Sequence, residues 1–250
     1  MRACLLFLIG CLLPGLLPAQ PALTAETVVR KTDANMRGNT LQAEMVIKTI
    51  RPTWTREMGV KTWMKGNDYA MILITSPAKD KGVAFLKRKK EVWNWVPTLE
   101  RSIKLPPSMM SQSWMGTDFT NDDLVKESSV VEDYVHTHAG DTIIRNVACY
   151  IIQMIPKPDA AVVWGKLLMY VDKKNFVEMH MKFYDEDGTL VSIMNSLEIK
   201  PMGDRMVPTR VEMIPMDKKN QKTEIVYLNL VFEKPIEDNF FTLQQMRNLK

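Results

Sequence analysis

The feature that most constrains this chain is a long succession of alternating apolar and polar residues, cut at short intervals by polar turns. Leu41–Arg51 sets Ala43, Met45 and Ile47 against Gln42, Glu44 and Lys48, a period of two that only a strand presents as two faces. Similar runs follow at Thr55–Lys65, Asp68–Thr75, Val83–Lys87, Glu91–Val96 and Arg101–Leu105. After an interruption they resume at Tyr134–Ala139, Cys149–Ile155, Lys166–Asp172, Val177–Tyr184, Leu190–Ile199, Val207–Ile214 and Thr223–Phe232. Gly66-Asn67, Asp185-Glu186-Asp187-Gly188 and Met202-Gly203-Asp204 supply residues that tight turns prefer. Connections this short imply antiparallel neighbours, and an open sheet of this many long strands tends to curl. We therefore expect one strongly curved antiparallel sheet of about 10–12 strands, with a few helices, in a single domain. A two-sheet sandwich is the competing arrangement.

Helical patterning is sparse. Thr24 can cap a helix to Arg37, whose stripe is Ala25, Val28, Val29, Thr32 and Met36, ended by Gly38-Asn39. Ser108–Met115, Thr120–Val125 and Thr242–Leu249 are shorter candidates, the last with capping-box spacing between Thr242 and Gln245. Ahead of all this, Arg2, the uncharged run Cys4–Leu17 and the small residue Ala19 describe a cleaved export signal over residues 1–19, with Ala22 as a second cleavage point. An exported protein follows. Leu8-Ile9-Gly10-Cys11 also resembles a lipobox, which would instead anchor the chain through lipid on Cys11. With Cys4 and Cys11 removed, Cys149 is left alone in an apolar run and reads as a small buried hydrophobe.

The inventory of chemistry is thin. Three Cys and three His leave little for a metal or thiol enzyme, and there is no GxSxG, P-loop, GxGxxG, HExxH or CxxC. His136 and His138 share a strand face without an evident third ligand. Asp185-Glu186-Asp187-Gly188 opens like a calcium loop but lacks a glutamate at the twelfth position. No catalytic residue, metal or cofactor is expected. The 33 Lys+Arg exceed the 29 Asp+Glu by only four, far from a nucleic-acid binder.

What stands out is 19 Met and 6 Trp, which suggest adaptable apolar surface. They concentrate in Glu91–Asp123. Trp93 and Trp95 share a strand face, Pro106-Pro107 breaks the sheet, and an apolar stretch with Met109, Met110, Trp114 and Met115 follows, then Gly116 and Phe119. A helix this apolar either plugs one end of the barrel or closes over a cavity as a lid, and a lid of Met109, Met110, Trp114 and Met115 is expected, freed by Pro106-Pro107 and hinged at Gly116. The expected lining of such a cavity is Met71, Leu73, Trp93, Trp95, Met109, Met110, Trp114, Met115 and Phe119. Lys87, Arg88, Lys89 and Lys90 form the densest charge run, either a solvated hairpin tip or a docking patch, which Asn121–Asp123 would extend.

The string Ala84-Phe85-Leu86-Lys87, Glu91-Val92-Trp93-Asn94-Trp95-Val96-Pro97, Lys104–Met110 and Gln112–Leu124 resembles the outer membrane lipoprotein-sorting family, a branch of the LolA/LolB-like superfamily of periplasmic carriers. Pro156–Asp159, Val163–Lys166 and Tyr184–Gly188 fit the same family, and the likeness runs from about Leu23 to Leu249, so a carrier domain is expected over residues 23–250. The resemblance implies a single unclosed antiparallel β-barrel wrapped around helices, with an apolar cavity for acyl chains of lipoproteins or other lipids in transit to the outer membrane. An inner-membrane exporter is the expected partner and a monomer the expected state, and the missing catalytic motifs lead us to expect no enzymatic activity. The alternative role is a non-catalytic adaptor or sensor subunit of that exporter.

Overall fold

A computed structural model describes residues 23–126 and 129–249. The expected export signal over residues 1–19, with Cys4 and Cys11, lies outside the described residues. Helix α1 (Ala25–Arg37) begins where the Thr24 hydroxyl accepts from the Thr27 amide at 3.1 Å. It stops at Gly38, whose φ of 60° suits glycine and whose amide donates to Ala34. The apolar stripe Ala25, Val28, Val29 and Thr32 is buried.

Thirteen strands follow, against the 10–12 expected. The first six are β1 (Thr40–Ile50), β2 (Thr55–Lys65), β3 (Tyr69–Ser76), β4 (Ala84–Arg88), β5 (Glu91–Val96) and β6 (Arg101–Lys104). The next seven are β7 (Tyr134–Ile144), β8 (Val147–Pro156), β9 (Lys166–Asp172), β10 (Glu178–Tyr184), β11 (Leu190–Met202), β12 (Arg205–Pro215) and β13 (Lys222–Phe232). A short helix α2 (Leu243–Asn248) closes the fold, its Gln245 amide capped by Thr242 as the sequence spacing implies. All strands belong to one antiparallel sheet in the order β6-β5-β4-β3-β2-β1-β13-β12-β11-β10-β9-β8-β7. The first and last strands pair in the middle, so β6 and β7 become the two edges and the sheet is not closed.

Laid flat at ~4.8 Å per strand, thirteen strands would span roughly 58 Å, too wide for one 13-residue helix to cover. The sheet instead curls around a common core. Phe85 on β4 and Phe183 on β10 belong to one buried cluster with Val28 and Val29 of α1, although six strands separate β4 from β10. On this inner face α1 packs against β7 and β12. The connection from β6 to β7 crosses the same face and contributes Met110, Trp114, Phe119, Val125 and Val131 to the core.

That connection departs from expectation. Ser108–Met115 is not a helix but two 3-10 turns, Pro107–Met109 and Trp114–Gly116. Met115 takes a φ of 50° and Gly116 one of 76°, which stop any helix at that point. The Trp114 amide donates to Phe119, the Thr117 hydroxyl donates to Trp114, and a bridge pairs Ser113 with Thr120. The segment is a knotted loop rather than a rod. The expected Thr120–Val125 helix appears as a short π-type turn at Asp122–Lys126.

The outer face of β3–β5 has its own cover. Met71, Leu73, Ala84 and Leu86 bury themselves with Ile236, Phe241 and Met246 at the C-terminus, and Trp93 and Trp95 pack at the margin of this cluster. The both-sided apolarity of β3 is thereby explained: alternate residues meet the inner core and α2. Cys149 is a fully buried thiol whose pKa burial pushes up, consistent with a packing role.

Candidate functional site

An apolar cavity of about 250 Å³ opens on the inner face between α1, the Phe119–Leu124 loop and strands β9–β13. Its walls carry Met36, Met169, Met181, Met194 and Met213, with Phe119, Phe176, Phe183 and Trp164. A neighbouring cavity of about 120 Å³ runs along the other flank of α1, toward Ile47, Val60, Ile72 and Trp114. The two share Met36, Arg37, Leu124, Ile225 and Tyr227, so they form consecutive sections of one groove. Unbranched thioether side chains repack at little cost, and a wall built from them adapts to apolar guests of varied shape.

The polar groups in this wall fall into two kinds. Most are already engaged. Asp123 accepts from the Trp164 indole at 2.9 Å and from the Thr120 amide at 2.8 Å, fixing the loop to β9. Burial pushes the Asp123 carboxyl up to about 6 despite these bonds. Arg37 bridges Asp33 at 2.8 Å, one helical turn away. Burial, with Asp122, Asp123 and Asp133 nearby, pushes the Tyr134 phenol up. Gly165 lets Trp164 seat here: a Cβ at that position would stand 2.5 Å from the Asp185 carbonyl oxygen, an immovable backbone contact.

Glu178 is of the other kind. Its carboxylate has no hydrogen-bond or ion-pair partner among the described residues, and burial alone pushes it up to about 7. It faces the cavity because of a β-bulge. Met181 and His180 pair regularly with Met169 and Tyr170, but the register slips, so that Glu178 lies opposite Val171. Cross-strand partners share a face, and Val171 belongs to the inner core. Strict alternation would have put Glu178 outside with His180 and Lys182.

This has a consequence for stability. The folded state holds the Glu178 proton up to about pH 7, while the unfolded chain releases it near the ordinary 4.5. The associated stabilisation is complete below about 4.5 and is lost as pH rises through 7, at most about 3 kcal/mol. In lipid-free protein, Glu178→Gln is therefore expected to melt higher than wild type at pH 8 and close to it at pH 5. Thermal melts at the two pH values check this; an equal effect at both would show that Glu178 does not titrate in the fold.

The residues expected from sequence are divided between the two faces. Met109, Met110, Trp114, Met115 and Phe119 join the inner core, with Phe119 lining the larger cavity and Trp114 the smaller. Met71, Leu73, Trp93 and Trp95 do not: they lie across the sheet beneath or beside α2. Lys87 is only 6% exposed, on a strand position facing inward, so the exposed basic patch reduces to Arg88, Lys89 and Lys90. The proposed extension of that patch also fails, since Asn121 and Asp122 are buried; the Asn121 amide holds the Met109 carbonyl at 2.8 Å. His136 and His138 each place Nε2 against a backbone carbonyl, Val130 at 2.7 Å and Leu23 at 2.9 Å. Among the described residues no group of three His, Cys, Asp or Glu side chains could hold a metal ion, and no helix is long and apolar enough to cross a membrane.

A family model described as an uncharacterized protein matches residues 66–248. Solved structures give a fuller comparison. A DUF1329 family protein from Desulfovibrio piger superposes with a TM-score of 0.81 at 18% identity, covering 89% of this chain and 97% of its own. A LolA superfamily protein from Nitrosomonas europaea gives 0.78 at 23% identity, covering 89% and 99%. An outer membrane lipoprotein-sorting protein domain from Vibrio parahaemolyticus gives 0.78 at 21%, covering 89% and 98%. At these identities the likeness is one of fold. No curated protein matches the chain.

Proposed function

We propose that the chain, which belongs to the family whose model matches residues 66–248 and shares the fold of a LolA superfamily protein and of an outer membrane lipoprotein-sorting domain, is a non-catalytic carrier that shelters the acyl chains of lipoproteins or other lipids in its inner groove. The observation that carries this reading is the Met-walled cavity on the inner face of the curled sheet, whose lining is more apolar than polar. Hiding a methylene from water is worth ~0.8 kcal/mol, so a long acyl chain does not cross an aqueous compartment unescorted. A groove of adaptable thioethers stabilises such a chain without demanding one shape, and leaves it free to pass to an acceptor that binds better.

The compartment that fits this role is the periplasm, with delivery toward the outer membrane. The exposed Arg88, Lys89 and Lys90 at the β4–β5 tip support a docking contact with an acidic membrane partner such as an exporter. The adaptor role favoured by that tip alone would leave the groove without a guest. Solvent extraction of the purified mature protein, followed by mass spectrometry, should release lipid. The stripped protein should then take up an uncharged pyrene-labelled monoacylglycerol with saturation near one per chain. Protein that yields no lipid and takes up no probe would contradict the carrier role.

A further inference from the structure

We propose that the groove selects lipids whose apolar chain ends in an amine or another hydrogen-bond-donating headgroup, with Glu178 as the acceptor, and disfavours anionic headgroups. The proposal rests on the carrier reading and names the cargo chemistry of that same cavity.

The charges around the cavity argue for it. The lining contains the carboxylates Asp33, Asp122, Asp123 and Glu178, and one basic side chain, Arg37, among the described residues. Arg37 already bridges Asp33. An anionic headgroup would meet like charges and would have to break this ion pair to gain a cation. A donor headgroup faces the reverse situation.

Asp33 is paired, and Asp123 is bonded to Trp164 and Thr120. Glu178 has no partner among the described residues, in a wall formed by Phe176, Val177, Met181 and Met194. A carboxylate left uncompensated in apolar surroundings is costly, and a buried network completed by a ligand donor removes that cost. The bulge at the start of β10 adds weight. It turns a carboxylate that strand alternation would leave in water toward the apolar interior, and bulges recur where a side chain must be re-aimed at a site.

Three probes with the same twelve-carbon chain separate the outcomes: dodecylamine, dodecanol and dodecanoate, each below its micellar concentration at pH 8. Each competes against the pyrene lipid on wild type and on Glu178→Gln. Wild type should bind dodecylamine roughly ten-fold or more tighter than dodecanoate, the scale of a charge-assisted hydrogen bond. Glu178→Gln should bring the two within about three-fold, and should move dodecanol by less than that, because the glutamine carbonyl still accepts from a neutral hydroxyl but carries no charge to favour an ammonium. Equal or tighter binding of dodecanoate by wild type would overturn the proposal. So would an amine preference that survives in Glu178→Gln. If dodecanol and the pyrene lipid also fail to bind wild type, the carrier reading itself falls, and the cargo assignment with it.

Discussion

Trp114→Ala is expected to lower folding stability by about 3–5 kcal/mol, the cost of deleting a buried aromatic from a packed core. Trp114 is 1% exposed and sits 5.7 Å, ring to ring, from Phe85 on the opposite wall. Its indole Nε1 has no partner among the described residues, so its contribution is one of packing rather than hydrogen bonding. Truncation would merge its volume with the adjoining cavity of about 120 Å³, which the neighbouring strands, fixed by their ladders, cannot collapse to fill. For a domain of this size the loss corresponds to a fall in melting temperature of roughly 10 °C. Chemical denaturation of wild type and variant measures it. A loss below about 1 kcal/mol, with lipid uptake abolished, would mean that the loop swings as a lid and that its buried position is only one of its states.

The second large effect concerns the clamp that holds this loop. Arg51, at the end of β1, donates from Nη1 and Nη2 to the two oxygens of Asp118 at 2.9 and 3.0 Å, and from Nη2 to the Gly116 carbonyl at 3.2 Å. The Thr223 hydroxyl on β13 donates to Asp118 at 2.7 Å and accepts from the Asp118 amide at 3.0 Å. Arg56 on β2 also donates to the Met115 carbonyl. The Asp118 side chain is 3% exposed, so salt screens the pair little. Arg51→Met should cost about 3–5 kcal/mol, because it leaves Asp118 buried without its countercharge. The double variant Arg51→Met/Asp118→Leu should recover at least half of that, since two apolar groups desolvate without penalty. Additive losses in the double-mutant cycle would mean that the two residues do not act as a pair.

Much of the fold was legible because local rules and tertiary structure agree. The period of two placed the strands, Gly38 and Thr24 bounded α1, and Thr242 began α2. The same rules misread Ser108–Met115. Its apolar density suggested a helical face, but the proline start and the left-handed Met115-Gly116 step fold it into turns tied down by Arg51 and Arg56.

Alternation identifies residues that share a face without saying which face curls inward. Trp93 and Trp95 do share one, and it is the outer one, because α2 returns to cover it. The abundance of methionine did signal an adaptable apolar wall, yet the residues that build it are spread over α1 and β9–β12, where each looks like ordinary core. Glu178 was invisible for a different reason: a bulge reverses its face, and no period-two reading anticipates a slip of one residue.

The most direct test of the carrier account is to locate the guest. A monoacylglycerol with a diazirine at the end of its acyl chain, bound to the mature protein and photolysed, should label the wall formed by Met169, Met181, Met194 and Met213. Peptide mass spectrometry reads the sites. The account predicts adducts on β9–β12 that are suppressed by excess unlabelled lipid. Labelling confined to Trp93, Trp95 and α2 on the outer face, or labelling that excess lipid does not suppress, would contradict it.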